Sequence, residues 1–278
     1  MPFLPTNGAS IYYEVAGEGP PVLLLQGIGV IGEGWRPQVK GLADRYRVII
    51  IDNRGIGQSS EDPGPVPTLT IETMAADALA VLDALGIAQA HVVGHSMGGV
   101  IAQQVALQAR QRVRSLALLC TFGRAKDAMQ LRPATILQGL RMVLGTRRMR
   151  RQAFLELVMP PGLLATSDRD QLASELVPLF GRDLAEQPPI IMRQARAMAR
   201  HDTFARLAEL ATIPALVVSA AQDRIAFPQY GRALAKGITG ARYVEIPEAG
   251  HGVPIHSPAL INDLLSEHLA ASESAQPT

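Results

Sequence analysis

Several features that would define a protein class are scarce or missing in this sequence. It has one cysteine, Cys120, so no disulfide can form within the chain. Its 26 basic and 25 acidic residues leave a formal net charge of +1, which argues against charge-driven binding to nucleic acid or membranes. No uninterrupted run of about 18 apolar residues is present, so we expect no membrane-spanning helix.

Motifs for cofactors and metals are also missing. The sequence has no cysteine–histidine pairs at zinc spacing, no phosphate-binding P-loop and no complete dinucleotide-binding glycine motif. We therefore expect no cofactor and no metal. Residues 1–8 lack a basic stretch followed by an apolar run, which a secretory signal would show, so the expected location is cytoplasmic.

The chain is long and apolar enough to form a large core. Its 278 residues are 47% hydrophobic and 18% charged. A chain of this length buries roughly 75% of its unfolded surface, so it needs neither disulfides nor a metal to fold. We expect one large domain, or one domain that carries a substantial insertion.

Short apolar runs alternate with helical patterns in both halves of the chain. The apolar runs predict strands buried on both faces of a parallel sheet. A weakly alternating run at 11–15, which ends at Gly17, predicts an edge strand. Buried strands are predicted at 22–25, 48–51, 91–93, 113–120, 215–218 and 243–246, and helices at 71–85, 100–109, 229–236 and 258–269. This order predicts an α/β fold with a mostly parallel central sheet flanked by helices.

The alternation is interrupted between residues 124 and 205. This segment contains no buried strand run, and it holds 13 basic residues, 12 of them arginine, against 8 acidic residues. Six of the nine methionines also lie here. We interpret 124–205 as an inserted helical cap, and 1–123 with 206–278 as the core domain. Its methionines suit an adaptable apolar pocket wall, and they suit a small core within the cap equally well.

One short motif in the first half points to chemistry. Residues 94–98 match the pattern G-x-S-x-G around Ser96, directly after the strand at 91–93 and before a helical pattern. A sharp turn here exposes the serine side chain, and the flanking glycines prevent clashes in the turn. Backbone N–H groups at the helix start then point at the reacting oxygen. Ser96 is therefore the predicted nucleophile.

Together, several stretches of the sequence resemble the α/β-hydrolase superfamily. They are 24–29, 52–59, 94–99, the loop around Asp223, and Gly250–His251, and the resemblance extends from about residue 9 to residue 270. It implies an α/β-hydrolase fold with an inserted helical cap and esterase- or lipase-like serine chemistry. One departure is Gln26, which precedes Gly27 where the family most often has histidine. The departure changes the side chain that braces the loop and leaves its backbone donor in place.

A serine hydroxyl needs a base to act as a nucleophile, and the base needs an orienting acid. In the superfamily the chain order is serine, acid, histidine. The resemblance therefore implies His251, which lies between two glycines after the last strand, as the base, with His256 as its nearest rival. It implies Asp223, after a predicted strand, as the acid in preference to Asp52 or Glu248.

The resemblance also implies an oxyanion hole, in which two backbone N–H groups stabilise the negative charge of acyl transfer. Met97, the residue after the nucleophile, would supply one N–H group, and Ile28 would supply the other. Further candidates for the substrate pocket are Gly27, Trp35, Met129 and Met142. Trp35 suits packing inside the scaffold equally well.

The expected function is hydrolysis of carboxylic esters through an acyl-enzyme on Ser96. The near-zero net charge and the apolar cap favour small to medium apolar acyl groups, so the expected partner is a small-molecule ester, and a homodimer stays open. A lactonase, a C–C bond hydrolase of meta-cleavage products and a perhydrolase would use the same residues. The alternative of another class is a ligand receptor or signalling protein that binds without turnover.

Overall fold

A nine-stranded sheet forms the centre of the protein, which a computed structural model describes at residues 2–63, 68–124 and 133–274. The strands are β1 (Phe3–Thr6), β2 (Ala9–Ala16), β3 (Pro21–Leu25), β4 (Arg47–Ile51), β5 (Ser60–Glu61), β6 (Ala90–His95), β7 (Val113–Leu119), β8 (Ala215–Ala220) and β9 (Arg242–Ile246). They are hydrogen-bonded in the order β1-β2-β4-β3-β6-β7-β8-β9, and β5 pairs with β2. Every neighbouring pair from β4 to β9 is parallel, which confirms the predicted mostly parallel sheet.

The edge of the sheet differs from the prediction. The run at 11–15 belongs to β2, which pairs antiparallel with β1 on one side and with β4 on the other, so its interpretation as an edge strand was wrong. The edge is β1, which carries Pro5 opposite Ser10. Proline has no N–H to donate and is tolerated on an edge strand, but it weakened the sequence signal for this strand.

The central strands are apolar along their whole length because helices cover both faces of the sheet. Val22–Leu25 in β3 are fully buried, as are Leu216–Val218 in β8. The runs of apolar residues that predicted these strands therefore correspond to side chains that point alternately into the two helical layers. The main hydrophobic core lies on both sides of this sheet.

Helices connect the strands. They are α1 (Arg36–Leu42), α2 (Ile71–Ala84), α3 (Met97–Gln108), α4 (Pro133–Val143), α5 (Arg147–Val158), α6 (Pro161–Thr166), α7 (Arg169–Phe180), α8 (Ile190–Ala199), α9 (Pro228–Gly237), α10 (Val253–His256) and α11 (Pro258–Ser274). The hydroxyl of Thr70 accepts a hydrogen bond from the N–H of Thr73 and caps the start of α2. Among the described helices, none is long and apolar enough to cross a membrane.

The segment between β7 and β8 contains α4 to α8 and packs a second hydrophobic cluster of its own. Phe154 and Phe180 meet edge to face in this cluster, with ring centroids 5.2 Å apart. Its buried members are Phe154, Leu155, Val158, Met159, Leu164, Ala173, Leu176, Phe180 and Leu184. In the described residues of this segment, the β-structure is a single isolated bridge between Arg124 and Asp202.

A buried ion pair ties the loop after β4 to helix α2. Arg54 donates two hydrogen bonds to Asp77, from Nε to Oδ2 at 3.0 Å and from Nη2 to Oδ1 at 2.7 Å. Both side chains are almost fully buried, with 2% and 5% exposed. Removing one charge from such a pair leaves the other unpaired in a poorly solvated place.

We predict that Asp77→Asn lowers the free energy of unfolding by about 3 kcal/mol, because Arg54 loses its buried countercharge. Urea denaturation followed by circular dichroism measures this loss. The matched control is Asp83→Asn on the same helix. Asp83 pairs with Arg112, but its side chain is 63% exposed. That substitution is expected to cost less than about 1 kcal/mol. Equal losses from the two variants would contradict the prediction.

Candidate active site

The predicted site residues meet at one edge of the sheet. Gln26 follows β3, Ser96 follows β6, Asp223 lies shortly after β8, and His251 lies in the loop after β9. These four strands are parallel, so their carboxyl ends lie side by side. Sequence positions separated by up to 225 residues are thereby brought into one cleft, where open α/β sheets place their ligands.

Ser96 occupies a strained turn between β6 and α3. Its backbone has φ 56° and ψ −122°, a conformation that L-residues rarely adopt. Two glycines allow the surrounding chain to approach: a Cβ on Gly94 would lie 2.2 Å from the Gly98 carbonyl oxygen, and one on Gly98 would lie 2.0 Å from that of Leu25. Thr121 donates a hydrogen bond to the Ser96 carbonyl at 2.7 Å. The turn therefore depends on glycine at both places.

Asp223 and His251 form a direct hydrogen bond. His251 Nδ1 and Asp223 Oδ2 are 2.7 Å apart, and both side chains are buried. The other carboxylate oxygen of Asp223 accepts hydrogen bonds from the N–H groups of Ile225 and Ala226, at 2.7 and 2.8 Å. These contacts fix the carboxylate, and the carboxylate in turn orients the imidazole so that Nε2 is the nitrogen left to act.

The loop that carries His251 is held from the helical segment. The N–H of Gly252 donates to the Val158 carbonyl at 2.7 Å, and a Cβ on Gly250 would lie 2.9 Å from the backbone at Met159. His256, the rival base, accepts a hydrogen bond from the N–H of Gly250 through Nε2 at 3.2 Å. The structure therefore pairs Asp223 with His251, and it gives His256 a place in bracing the same loop.

A second histidine, His95, packs against His251 with ring centroids 4.8 Å apart. Its Nε2 lies 2.8 Å from the His251 carbonyl oxygen, to which it donates when that nitrogen carries the proton. Burial, with a smaller contribution from His251, lowers the pKa of His95 to about 3. His95 therefore stays neutral near pH 7 and supports the backbone of His251.

In the loop after β3, the N–H group of Ile28 lies between two N–H groups that have hydrogen-bond acceptors. The N–H of Gly27 donates to Gln26 Oε1 at 2.9 Å, and that of Gly29 donates to Gln194 Oε1 at 2.8 Å. The N–H groups of Ile28 and Met97 have no hydrogen-bond partner among the described residues. Gln26 thus braces the loop through its amide. Gln194, which lies on α8 and is fully buried, holds the loop from the helical segment.

Ser96 and His251 line one cavity of about 160 Å³. The rest of its wall is mainly apolar and includes Phe122, Phe154, Leu157, Phe180 and Ile225. A larger open cleft of about 740 Å³ adjoins it, and four residues line both spaces: Met142, Phe180, Arg182 and Gln187. Both spaces lie between the core and the helical segment, and Ile31 and Gly55 line the outer cleft from the core side.

The pocket candidates fall in three different places. Gly27 and Met142 line the cavity, as does Ile28, the candidate for the oxyanion hole. Trp35 does not line the cavity. It is fully buried and packs edge-on against His95, with ring centroids 6.3 Å apart, so the structure favours a role for Trp35 in packing inside the scaffold. Met129 lies outside the described residues.

Most of the cavity wall was not predicted from the sequence, and two polar residues of the helical segment are among those missed. Arg182 lines the cavity, and Gln194 binds the loop at Gly29. Both come from the segment 124–205, where the arginine excess does not distinguish one arginine from another and no pattern selected Gln194.

One cluster of nitrogen and sulfur atoms has the composition of a soft-metal site. His95, Cys120 and His251 each offer a ligand atom, and these atoms lie within 4.8 Å of one another. Two ring nitrogens of the cluster already bind Asp223 and the His251 carbonyl. Burial and the neighbouring Asp223 raise the pKa of the Cys120 thiol, which keeps it protonated and a poor metal ligand. The cluster fits a packed polar network better than a metal site.

Known proteins of similar sequence and fold cover nearly the whole chain. A protein of Azorhizobium caulinodans, provisionally named carbamate hydrolase RutD, is 32% identical over 267 residues, which are 95% of this chain and 97% of that protein. A Mycobacterium tuberculosis protein, provisionally named non-heme bromoperoxidase BpoC, is 31% identical over 266 residues, with 94% and 98% covered. The enol-lactonase from Burkholderia xenovorans LB400 has a similar structure, with TM-score 0.79, 26% identity, and coverage of 97% and 100%.

The family model described as the alpha/beta hydrolase fold matches residues 20–258. This range includes every strand from β3 to β9 and the candidate site residues at the carboxyl edge of the sheet. The resemblance noted from the short motifs is therefore confirmed, and the chain belongs to the alpha/beta hydrolase fold family.

Proposed function

We propose that this protein is a serine hydrolase that cleaves carboxylic esters with small to medium apolar acyl groups. The observation that carries the proposal is one apolar cavity lined by Ser96 and by His251, whose ring is bonded to Asp223 at 2.7 Å. The open N–H groups of Ile28 and Met97 support it, since acyl transfer needs two such donors beside the nucleophile.

The proposed reaction begins with attack of Ser96 Oγ on the ester carbonyl. His251 Nε2 takes the hydroxyl proton as the C–O bond forms, and Asp223 stabilises the resulting imidazolium. Negative charge then develops on the carbonyl oxygen. Hydrogen bonds from the N–H groups of Ile28 and Met97 stabilise this oxyanion, each contributing about 3 kcal/mol to lowering the barrier.

Collapse of the intermediate releases the alcohol and leaves an acyl-enzyme. His251 donates its proton to the departing alkoxide oxygen. It then accepts a proton from water, which attacks the acyl carbonyl, and the acid leaves as Ser96 regains its proton from His251. The two acyl transfers, first to Ser96 and then to water, thus use one base and one oxyanion site.

The segment 124–205 is proposed to act as a cap on this site. It contributes Phe154, Phe180 and Met142 to the cavity wall, and it touches both loops that carry the chemistry. A cap of this kind excludes bulk water, which strengthens the electrostatic interactions within the cavity. It would also restrict the length of the acyl chain.

Lactone hydrolysis is the second candidate. The similarity to a structure named enol-lactonase covers 97% of this chain and favours it. A lactone is an internal ester, so the same attack on its carbonyl applies. The names of the sequence relatives add carbamate hydrolysis and peroxide-dependent halogenation as chemistry to be tested. C–C bond hydrolysis shares the triad but has no further observation in its favour.

The first kinetic prediction concerns the nucleophile. Wild-type protein is expected to hydrolyse 4-nitrophenyl esters with an optimum at short to medium acyl chains, and Ser96→Ala is expected to lower kcat by at least about 10³-fold. Release of 4-nitrophenolate across an acetate-to-octanoate series measures both. Ser174→Ala, on the surface of α7, is the matched control. Undiminished turnover by Ser96→Ala would remove Ser96 from the mechanism; turnover of lactones alone would favour the second candidate.

The second prediction separates the two buried carboxylates that follow strands. Asp223→Asn is expected to lower kcat by about 10⁴-fold, because the amide no longer stabilises the imidazolium. Asp52→Asn is expected to leave kcat per folded molecule unchanged, since Asp52 accepts hydrogen bonds from the backbone of Gly32 and Gln58. Ester kinetics corrected for the folded fraction measure both. Similar losses in kcat would overturn the assignment of the acid.

The third prediction concerns the loop that holds Ile28. Gln194→Leu removes the acceptor for the Gly29 N–H and is expected to lower kcat 10- to 100-fold with little change in KM, since small displacements of an oxyanion donor are costly. Gln171→Leu, an exposed residue of α7, is the control. An unchanged kcat in Gln194→Leu would show that the loop keeps its position without this contact.

A further inference from the structure

The side chain of Arg182 brings a charged group into the wall of the apolar cavity. Arg182 follows Gly181, which ends helix α7 in a left-handed conformation with φ 68°. It lines both the cavity that contains Ser96 and the adjoining open cleft. The chain therefore turns at Gly181 and places the guanidinium at the junction of the two spaces.

Two donor atoms of this guanidinium are buried and have no hydrogen-bond partner among the described residues. They are Nε and Nη1. A buried donor without an acceptor costs free energy, and a buried charge without a countercharge costs more. Arginine stays protonated in proteins, so deprotonation cannot relieve this cost. The arrangement is expected to be favourable when an anionic acceptor is bound.

The nearby carboxylates are engaged elsewhere. Asp183 binds Arg147 at 2.7 Å and also pairs with Arg151. Glu186 binds Arg147 at 3.1 Å. Within the described residues, no carboxylate lies within salt-bridge distance of Arg182. Asp183 and Glu186, the carboxylates that flank Arg182 in the sequence, therefore pair with arginines of helix α5 and not with Arg182.

The guanidinium also lies close to the loop of the proposed oxyanion hole. Its Nη2 is 3.2 Å from the point that a Cβ on Gly29 would occupy, one residue after Ile28. A group bound by Arg182 would therefore be part of the same small molecule whose carbonyl lies at Ser96. Planar carboxylates accept two parallel hydrogen bonds from a guanidinium, through Nε with Nη2 or through Nη1 with Nη2. Each of the two unpartnered donors, Nε and Nη1, can therefore bind a carboxylate together with Nη2.

We propose that Arg182 binds a carboxylate of the substrate, so that the preferred substrates are esters that carry a carboxylate some distance from the scissile bond. This inference rests on the proposed function and deepens it by naming the substrate class. It assigns Arg182 as a specificity-determining residue: the apolar walls accept the carbon chain, and the guanidinium selects its charged end.

The experiment compares each carboxylate with its neutral carboxamide. On the acyl side the pair is the 4-nitrophenyl monoester of adipic acid and that of adipic acid monoamide. On the alcohol side it is 4-carboxyphenyl and 4-carbamoylphenyl butanoate. Wild-type protein is expected to prefer the carboxylate of at least one pair by 10- to 100-fold in kcat/KM, as expected for hydrogen bonds between charged groups. No preference in either pair would overturn the proposal.

Two variants test the residue. Arg182→Met is expected to lower kcat/KM on the carboxylate esters 10- to 100-fold more than on the matched carboxamide esters, which abolishes the preference, and Arg182→Lys is expected to retain part of it. Arg150→Met is the matched control. Arg150 also has a buried Nε without a partner, but it lines the outer cleft and not the cavity that contains Ser96. A preference that survives in Arg182→Met, or an equal loss on both members of a pair, would contradict the proposal.

A binding measurement separates this inference from the proposed chemistry. Isothermal titration of Ser96→Ala with adipate and with adipamide needs no turnover. Adipate is expected to bind at least 10-fold more tightly, and the double variant Ser96→Ala/Arg182→Met is expected to lose the difference. If ester turnover is absent but this difference is found, the proposed function fails and the carboxylate site stands; if turnover is present and the difference is absent, the reverse holds.

Discussion

Close approach of backbone to backbone at the Ser96 turn is the constraint on which the rest of the site depends. Gly94 and Gly98 let the turn close against the carbonyl of Leu25, where any side chain would overlap backbone atoms. The turn holds Ser96 in a conformation that costs of the order of 1–3 kcal/mol. Hydrogen bonds from the Ser96 N–H to Leu119 and from Thr121 to the Ser96 carbonyl offset part of that cost. The strained serine is thus held by hydrogen bonds to the end of one neighbouring strand, β7, and to the residues that follow it.

The close approach of the Ser96 turn to β3 also positions the N–H groups of Ile28 and Met97. Met97 begins α3 immediately after the turn, and Ile28 follows β3, which is the hydrogen-bonded neighbour of β6. Their separation is therefore determined by strand pairing. Gln194 and Val158 add contacts from the helical segment to the loops on either side. A displacement of that segment would move both loops together, which couples the proposed cap to the proposed oxyanion hole and base.

The sheet and the core of the site could be predicted because their signals are local. Buried strands appear in the sequence as short apolar runs. Ser96 lies within a motif whose two glycines are needed there, because a Cβ at either position would overlap backbone atoms. Strand β1 was missed because four residues with a proline carry little periodicity. Trp35 could not be placed, because a tryptophan suits a pocket wall and a buried core equally well. Arg182 and Gln194 could not be selected, because their roles arise from contacts with residues over 150 positions away.

The electrostatics of the site follow from which polar groups are already satisfied. Asp223 uses one oxygen for two backbone N–H groups and the other for His251, so it has little freedom to rotate. His95 is held neutral by burial, so it adds no positive charge beside His251 that would oppose formation of an imidazolium. Arg182 differs, since no carboxylate among the described residues pairs with its charge. The hydrogen-bonded groups position the proposed chemistry. Arg182 is the proposed place of substrate selection, because a bound anion can supply the acceptor that its guanidinium lacks.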